Sequence, residues 1–503
     1  MSTKCLTLVA ATLACSIATA GPSNVEQYFE EIRSNSAELR VFLTRFPKGG
    51  DLHNHLDGSV YAETYIAWAA EDGKCVQLES LSLSLPPCDV ENGAPPVADV
   101  IGDVGIVNRL IDSLSVRNYE HHSVSGHDHF FGTFGRFYAA TRGREADMLV
   151  DTIVRASRQN IPYLELMQIF GMQQAIAIGA EHERFADLND LEPLLNSPEL
   201  EQLAVETIEK TDSVERELQR LLPCDSQSAT AGCDVHIRYL ATVLRSFSRQ
   251  EVAAQTLLAF KLVARDPRYV GLNFVMPEDW PITLSDYTWQ MELIRKLGQE
   301  LPTVTSGISL HAGELTMGLV PPGDLQFHVN EAVNIAGARR IGHATSIAYE
   351  HDVNELLQTM SRSGVLVEVN LTSNLIILGV SGSAHPFDLV RRNNVPVALS
   401  TDNEGVERID LTHEYQVAVE TYEISYAQLK ELSRNSLAYS FLPGASLFEN
   451  VKTGFVVPAC RRETLGTDRP DASCIAFLAG NKKAELQWAL EKRFGIFEAT
   501  YMQ

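Results

Sequence analysis

The sequence predicts an α/β chain folded as a (β/α)8 TIM-type barrel, and three observations predict it. Eight short, apolar, strand-like segments recur between residues 50 and 400, separated by helical sequence. His and Asp residues gather at the C-terminal ends of those segments, where barrel enzymes place their chemistry. No G-x-G-x-x-G turn follows any strand, which argues against an open dinucleotide-binding sheet. At 503 residues with 45% hydrophobic content, the chain is long enough for one barrel with insertions.

The elements run in order. Residues 24–44 read as one amphipathic N-terminal helix, stopped by Phe46-Pro47. The first strand covers about Gly50 to His55. Residues 72–130 form an inserted excursion rich in Pro, Gly and His, of the kind that serves as a lid. Further strands are expected at Ile161–Met167, Val235–Val243, Tyr269–Val275, Gly307–His311, Arg340–His343, Val365–Val369 and Val395–Ser400. Helices fill the gaps, around Met148–Val154, Glu251–Ala264, Trp289–Leu297, Asn330–Ala336 and Val353–Met360. From about Thr412 the chain adds extra C-terminal helices.

The first twenty residues are not part of the fold. Lys4, the short apolar run Leu6–Ile17 and Ala18-Thr19-Ala20 make a signal peptide cleaved near Ala20, with lipid attachment at Cys15 as the weaker alternative. Residues 21–503 then form a single barrel domain, exported to a periplasmic or secreted location. The cysteines agree with export. Setting aside Cys5 and Cys15, the remaining six of eight fall in close pairs, Cys75/Cys88, Cys224/Cys233 and Cys460/Cys474. Local disulfides are expected among the 15 pairings that six cysteines allow. The net charge of −24 excludes a surface that tracks nucleic acid or an anionic membrane, and no segment has the length of a membrane span.

The chemistry starts in Lys48-Gly-Gly-Asp-Leu-His-Asn-His-Leu-Asp-Gly-Ser59. His53 and His55 are two apart and project from one face of a strand, which makes half of a metal site. His311 in Ser-Leu-His-Ala-Gly-Glu, His343 in Arg-Ile-Gly-His and Asp402 in Leu-Ser-Thr-Asp-Asn are further candidates at strand ends. A lone H-x-H pair says little, so the argument rests on the set. Glu314 follows His311 by three residues and can turn back into the same site. His121, His122, His127 and His129 read as a solvated loop rather than a second metal cluster, and Glu165 as a polar residue inside the barrel.

Five segments, in order, resemble the adenosine deaminase family of zinc-dependent barrel hydrolases. They are Pro47 to Ser59, His311 to Glu314, Arg340 to His343, Ser373-Asn374 and Ser400 to Asp402. The resemblance implies one Zn2+ per chain held by His53, His55, His311 and Asp402, which would activate a water to attack C6 of a purine. It implies Glu314 as the proton donor to the ring and His343 as a base or electrostatic partner. It implies a purine nucleoside as the small-molecule partner, with Asp57 on a ribose hydroxyl and Phe130, Phe131 and Phe134 near a hydrophobic gate. Two positions depart from the family. Asn403 stands where a second aspartate meets N7, and Met276 is nearest in register to a glycine whose amide meets N3. The expected function is deamination of adenosine or a related 6-aminopurine nucleoside to the 6-oxo purine and ammonia. The alternatives are a deaminase of adenine or another modified 6-aminopurine, and a catalytically weak, exported nucleoside-binding or signalling relative.

Overall fold

The computed structural model describes residues 24–501 apart from 122, 225–229 and 303–306. The segment 1–20, read as a signal peptide, lies outside the described residues. Eight parallel strands carry the fold: β1 Gly50–His55, β2 Tyr163–Gln168, β3 His236–Leu244, β4 Tyr269–Val275, β5 Ser309–Ala312, β6 Arg340–His343, β7 Leu366–Val369 and β8 Val397–Leu399. They pair as two four-stranded sheets, β1-β2-β3-β4 and β5-β6-β7-β8. Parallel bridges Leu272↔Ile308 and Asn54↔Asp402 join both pairs of edges and close the barrel. The second closure consists of two backbone hydrogen bonds, His55 N–H to Asp402 O at 2.8 Å and Asp402 N–H to His53 O at 2.9 Å. On the opposite edge of β1 the pairing with β2 slips between Asp51 and Asn54, an irregularity that includes His53.

The expected single helix at 24–44 is two, Asn24–Ile32 and Ser36–Arg45. The break falls at Arg33-Ser-Asn35, where the Asn35 side chain accepts from Glu38 N–H and starts the second helix. Short polar side chains that bond the backbone favour such caps over helix interior. The buried Lys48 then pins this entry segment by donating to Leu43 O, Phe46 O and Gln159 O at 2.6, 3.1 and 2.8 Å.

The excursion at 72–130 has structure of its own. An antiparallel hairpin (Cys75–Gln77 with Ser82–Ser84) is tied by the Cys75–Cys88 disulfide, followed by the helix Val104–Leu114. Its last residues already belong to the helix Gly126–Thr141, whose N-cap Ser125 accepts from Asp128 N–H at 3.0 Å. Cys224–Cys233 and Cys460–Cys474 are also disulfides, so all three local pairs form. The C-terminal part is helical as expected (Leu411–Tyr422, Tyr426–Ala438, Ala472–Gly480, Lys482–Ala499), interrupted by the hairpin Phe448–Asn450 with Phe455–Val456. Among the described residues no helix is long and apolar enough to cross a membrane.

The barrel interior carries charge as well as apolar side chains. Arg340 on β6, fully buried, lies between Glu165 on β2 (Nη2–Oε2, 2.6 Å) and Glu368 on β7 (Nε–Oε1, 2.5 Å). Its guanidinium stacks 3.8 Å from the Phe441 ring centroid. Removing one member of a buried ion network leaves the others uncompensated. Arg340→Met is therefore expected to lower unfolding free energy by about 3–5 kcal/mol. Urea denaturation measures it, and a loss well under 1 kcal/mol would show the network to be dispensable.

Candidate active site

Strand ends bring the predicted ligands to one point on the C-terminal face of the barrel. His53 Nε2 lies 3.1 Å from His311 Nε2, and His55 Nε2 lies 3.3 Å from that same atom. Asp402 Oδ1 lies 3.4 Å from His53 Nε2 and 3.2 Å from His55 Nε2. The tautomers follow from what stands behind the rings. His53 Nδ1 is 2.7 Å from Glu368 Oε2, and His311 Nδ1 is 2.7 Å from Asn273 Oδ1. Each Nδ1–H donates outward, so each ring, when neutral, turns its Nε2 lone pair inward. Lone pairs facing one another at such distances repel unless a cation lies between them. The spacings also match the edges of a tetrahedron of bonds of about 2.1 Å, which are about 3.4 Å. The donor set therefore suits a divalent metal.

Asp402 is oriented by Ser373 Oγ, which donates to Oδ2 at 2.7 Å, and by Asn403 Nδ2, which donates to Oδ1 at 2.8 Å. Gly342 is the residue that lets His53 pack, because a Cβ there would meet the imidazole Cε1 at 2.5 Å. His343 also belongs to the cluster: with His53, His311 and Asp402 it offers donor atoms within 4.8 Å of one another. It stands to one side, however, with Nε2 3.9 Å from Asp402 Oδ2, and Nδ1 3.6 Å from Glu314 Oε1 and 2.9 Å from Asn374 Nδ2. His55 is closer to the centre and is the better fourth donor. His343 lies between the Glu314 and Asp402 carboxyls instead.

Burial divides the protonation states. It raises the Glu314 carboxyl well above the usual range, helped by Asp402 and Glu278 nearby. It would raise Asp402 as well, but hydrogen bonds from His53 and His55 outweigh it and hold Asp402 well below. Burial holds His311 well below its ordinary value and takes His343 to about 3. His53 goes the other way: Asp402 and Glu368 overcome its burial and lift it to about 10. Its proton is the one a cation must displace.

Glu278, unassigned in the sequence reading, fixes the loop that carries the acid. It accepts from Gly313 N–H at 2.9 Å and Glu314 N–H at 2.8 Å, and pairs with His328 Nδ1 at 2.5 Å. Asn273 and Glu368 were missed as well. Each is a polar residue inside an apolar strand, the same signal that marked Glu165 as an inward-facing residue.

The remaining predicted residues line a cavity of about 300 Å3 beside the donors. Asp57, Asn403 and Met276 are on its wall, together with Phe130, Phe131 and Phe134 from the helix Gly126–Thr141. Met276 holds φ at 86°, a backbone that favours glycine, and its side chain fills the space a glycine would leave open. His343, Ala344 and Asp402 also have positive φ (67°, 51° and 57°), so backbone strain concentrates at this site. The His-rich stretch departs from the solvated loop expected. His127 and His129 are buried on the same helix, and His129 Nε2 lies 2.9 Å from Ser115 O. His127 Nε2 reaches Asp279 Oδ1 at 3.0 Å, latching the phenylalanine helix to the loop after β4.

Known proteins point the same way. The family model described as adenosine deaminase matches residues 211–451. The adenosine deaminase of Clostridium perfringens (strain 13) is 23% identical over 412 residues, covering 81% of this chain and 97% of the relative. That of Vibrio vulnificus (strain YJ016) is 24% identical over 398 residues, 78% and 94% of the two chains. Over most of its length this chain is similar to adenosine deaminases. Among solved structures, Arabidopsis ADAL complexed with IMP superposes with a TM-score of 0.51 at 20% identity, covering 82% of this chain and 95% of that one. The likeness is to hydrolases and agrees with the barrel.

The latch should respond to pH. Burial pushes the His127 pKa down, but the Asp279 and Asp128 carboxylates outweigh it and hold the ring above its ordinary value. A raised folded-state pKa stabilises fully below the unfolded value of about 6.5 and loses that contribution as pH rises through the folded value. Hydrogen exchange in the helix Gly126–Thr141, corrected for intrinsic rates, should accelerate over that window. Asp279→Asn should flatten the dependence; an unaltered pH profile in that variant would separate the latch from the helix's stability.

Proposed function

We propose that this chain is a zinc hydrolase of the adenosine deaminase family that converts adenosine, or a related 6-aminopurine nucleoside, to the 6-oxo purine and ammonia. The observation that carries it is the meeting of the donor cluster and Glu314 in one cavity whose wall is otherwise mostly apolar. His53, His55, His311 and Asp402 would hold Zn2+, which supplies Lewis acidity and brings the pKa of a coordinated water down to about 7.

The chain's own groups do the rest. Glu314, kept protonated by burial, donates its proton to N1 as C6 is attacked, so the ring gains no unpaired charge. His343 and the Oδ2 of Asp402 stand together and orient the attacking water and accept its proton. The proton taken from the water passes to the exocyclic nitrogen, the C6–N bond breaks and ammonia leaves, and the hydroxyl proton returns to Glu314 as C6 keeps the oxygen as a carbonyl. Asp57 holds a ribose hydroxyl, and Phe130, Phe131 and Phe134 cover the base and exclude bulk water. Asn403 can donate its second amide proton to the base. Met276 narrows the wall beside it, so the purine preferred need not be plain adenosine, and adenine and modified 6-aminopurines belong in the substrate panel. The protein would act outside the cytoplasm, after cleavage near Ala20, where three disulfides persist.

Zinc-loaded protein should change the ultraviolet absorbance of adenosine or another 6-aminopurine, and a chelator should stop it. No turnover on any of these would favour a nucleoside-binding relative. Glu314→Gln is expected to cut kcat by about 100- to 10,000-fold while zinc content stays stoichiometric. Near-normal rates would remove the residue from proton transfer. His55→Ala should lose zinc by metal analysis, and full occupancy in that variant would overturn its place among the donors.

A further inference from the structure

The cavity at the donor cluster does not stand alone. A second cavity, of about 410 Å3, adjoins it on the same face of the barrel, and Asp57 and Ile169 line both. The second cavity touches none of His55, His311, Glu314 or Asp402, so it meets the first away from the reacting end. In a purine nucleoside the ribose is attached at N9, across the base from C6. With C6 at the donors and Asp57 on the sugar, a ribose substituent would point at this second space.

Its lining differs in charge. Among the described residues no Lys or Arg lines the first cavity, whereas Arg142 and Lys210 line the second beside the carboxyls of Asp57 and Glu145, in a chain with a net charge of −24. Lys210 is paired with Glu145 at 3.1 Å. Arg142 has no carboxylate partner among the described residues; its guanidinium lies 5.9 Å over the Tyr138 ring, with Nη1 3.4 Å from Tyr138 Oη. That hydroxyl also accepts from Gln173 Nε2 at 2.7 Å, which leaves its own proton to be donated. With Lys210 neutralised by Glu145, the unpaired Arg142 guanidinium and the Tyr138 O–H are the donors left to meet a tetrahedral anion.

We propose that the two cavities form one site, whose substrate is a 6-aminopurine nucleoside carrying a phosphate monoester on its ribose. The proposal rests on the deaminase reading for the identity of the base, and on the second cavity alone for the phosphate.

Calorimetric titration of the zinc-loaded full chain with inosine, inosine 5′-monophosphate and inosine 3′-monophosphate tests it without requiring turnover. One monophosphate should bind at least about tenfold tighter than inosine, as one or two charge-assisted hydrogen bonds provide. Which of the two binds tighter identifies the esterified hydroxyl. Arg142→Gln should bring that ratio towards one, and added salt should do the same. Monophosphates that bind no tighter than inosine, or a ratio that survives Arg142→Gln, would overturn the proposal. Adenosine hydrolysed without phosphate preference sinks this inference and leaves the deaminase reading intact. Tight, Arg142-dependent monophosphate binding with no 6-aminopurine hydrolysed does the reverse.

Discussion

The two backbone hydrogen bonds that join β8 to β1 are what the rest of the structure depends on. They run from His55 N–H to Asp402 O and from Asp402 N–H to His53 O, so three of the four proposed ligands are themselves the residues that close the barrel. Side-chain placement is thereby set by strand register. A slip of one residue would turn the histidines to the other face. It would also pull Asp402 away from them. The ends of the chain's barrel portion must meet before the cluster exists, which makes assembly of the site and completion of the fold the same event. Non-local pairing of this kind is slow to form and costly to lose.

Behind that closure lies a continuous line of buried charge. Glu165, Arg340, Glu368 and His53 contact one another in turn, from the barrel interior to the donor cluster. A run of ions in a core stabilises little against a well-packed apolar alternative. It does impose orientation: Glu368 fixes the His53 tautomer because Arg340 holds Glu368. Glu278 does the equivalent for Glu314 through the backbone of the loop. Two carboxyls a short distance apart are thus driven in opposite directions, Asp402 towards the charged form and Glu314 towards the neutral one. Separation of that sort suits one carboxyl to hold a proton and the other to bind a cation within one small space.

Much of this was legible in the sequence. Tyr269–Val275 and Arg340–His343 have the expected bounds because each is a compact run of strand-type residues flanked by helical or turn sequence. The histidines and Asp402 are legible only as a set, because they recur at strand ends that a barrel brings to one face. Residues that act on the ligands from behind are harder to see. Asn273, Glu278 and Glu368 are recognised by what they touch, and those contacts are between strands distant in sequence. The break at Asn35 lay in a local preference of short polar side chains that the apolar periodicity concealed. The His127 region was misjudged for the opposite reason: its composition is that of a loop, and only its packing against Asp279 and Ser115 buries it.

The helix that bears the phenylalanines follows directly from the excursion between β1 and β2, and it contributes no strand to the barrel. Its residues can therefore vary in size, and its flanking loops in length, without disturbing the register on which the donors depend. Reactivity and admission are inherited on different stretches of polypeptide. Changes in that helix can reshape the cavity wall while leaving the strand ends beneath it in place.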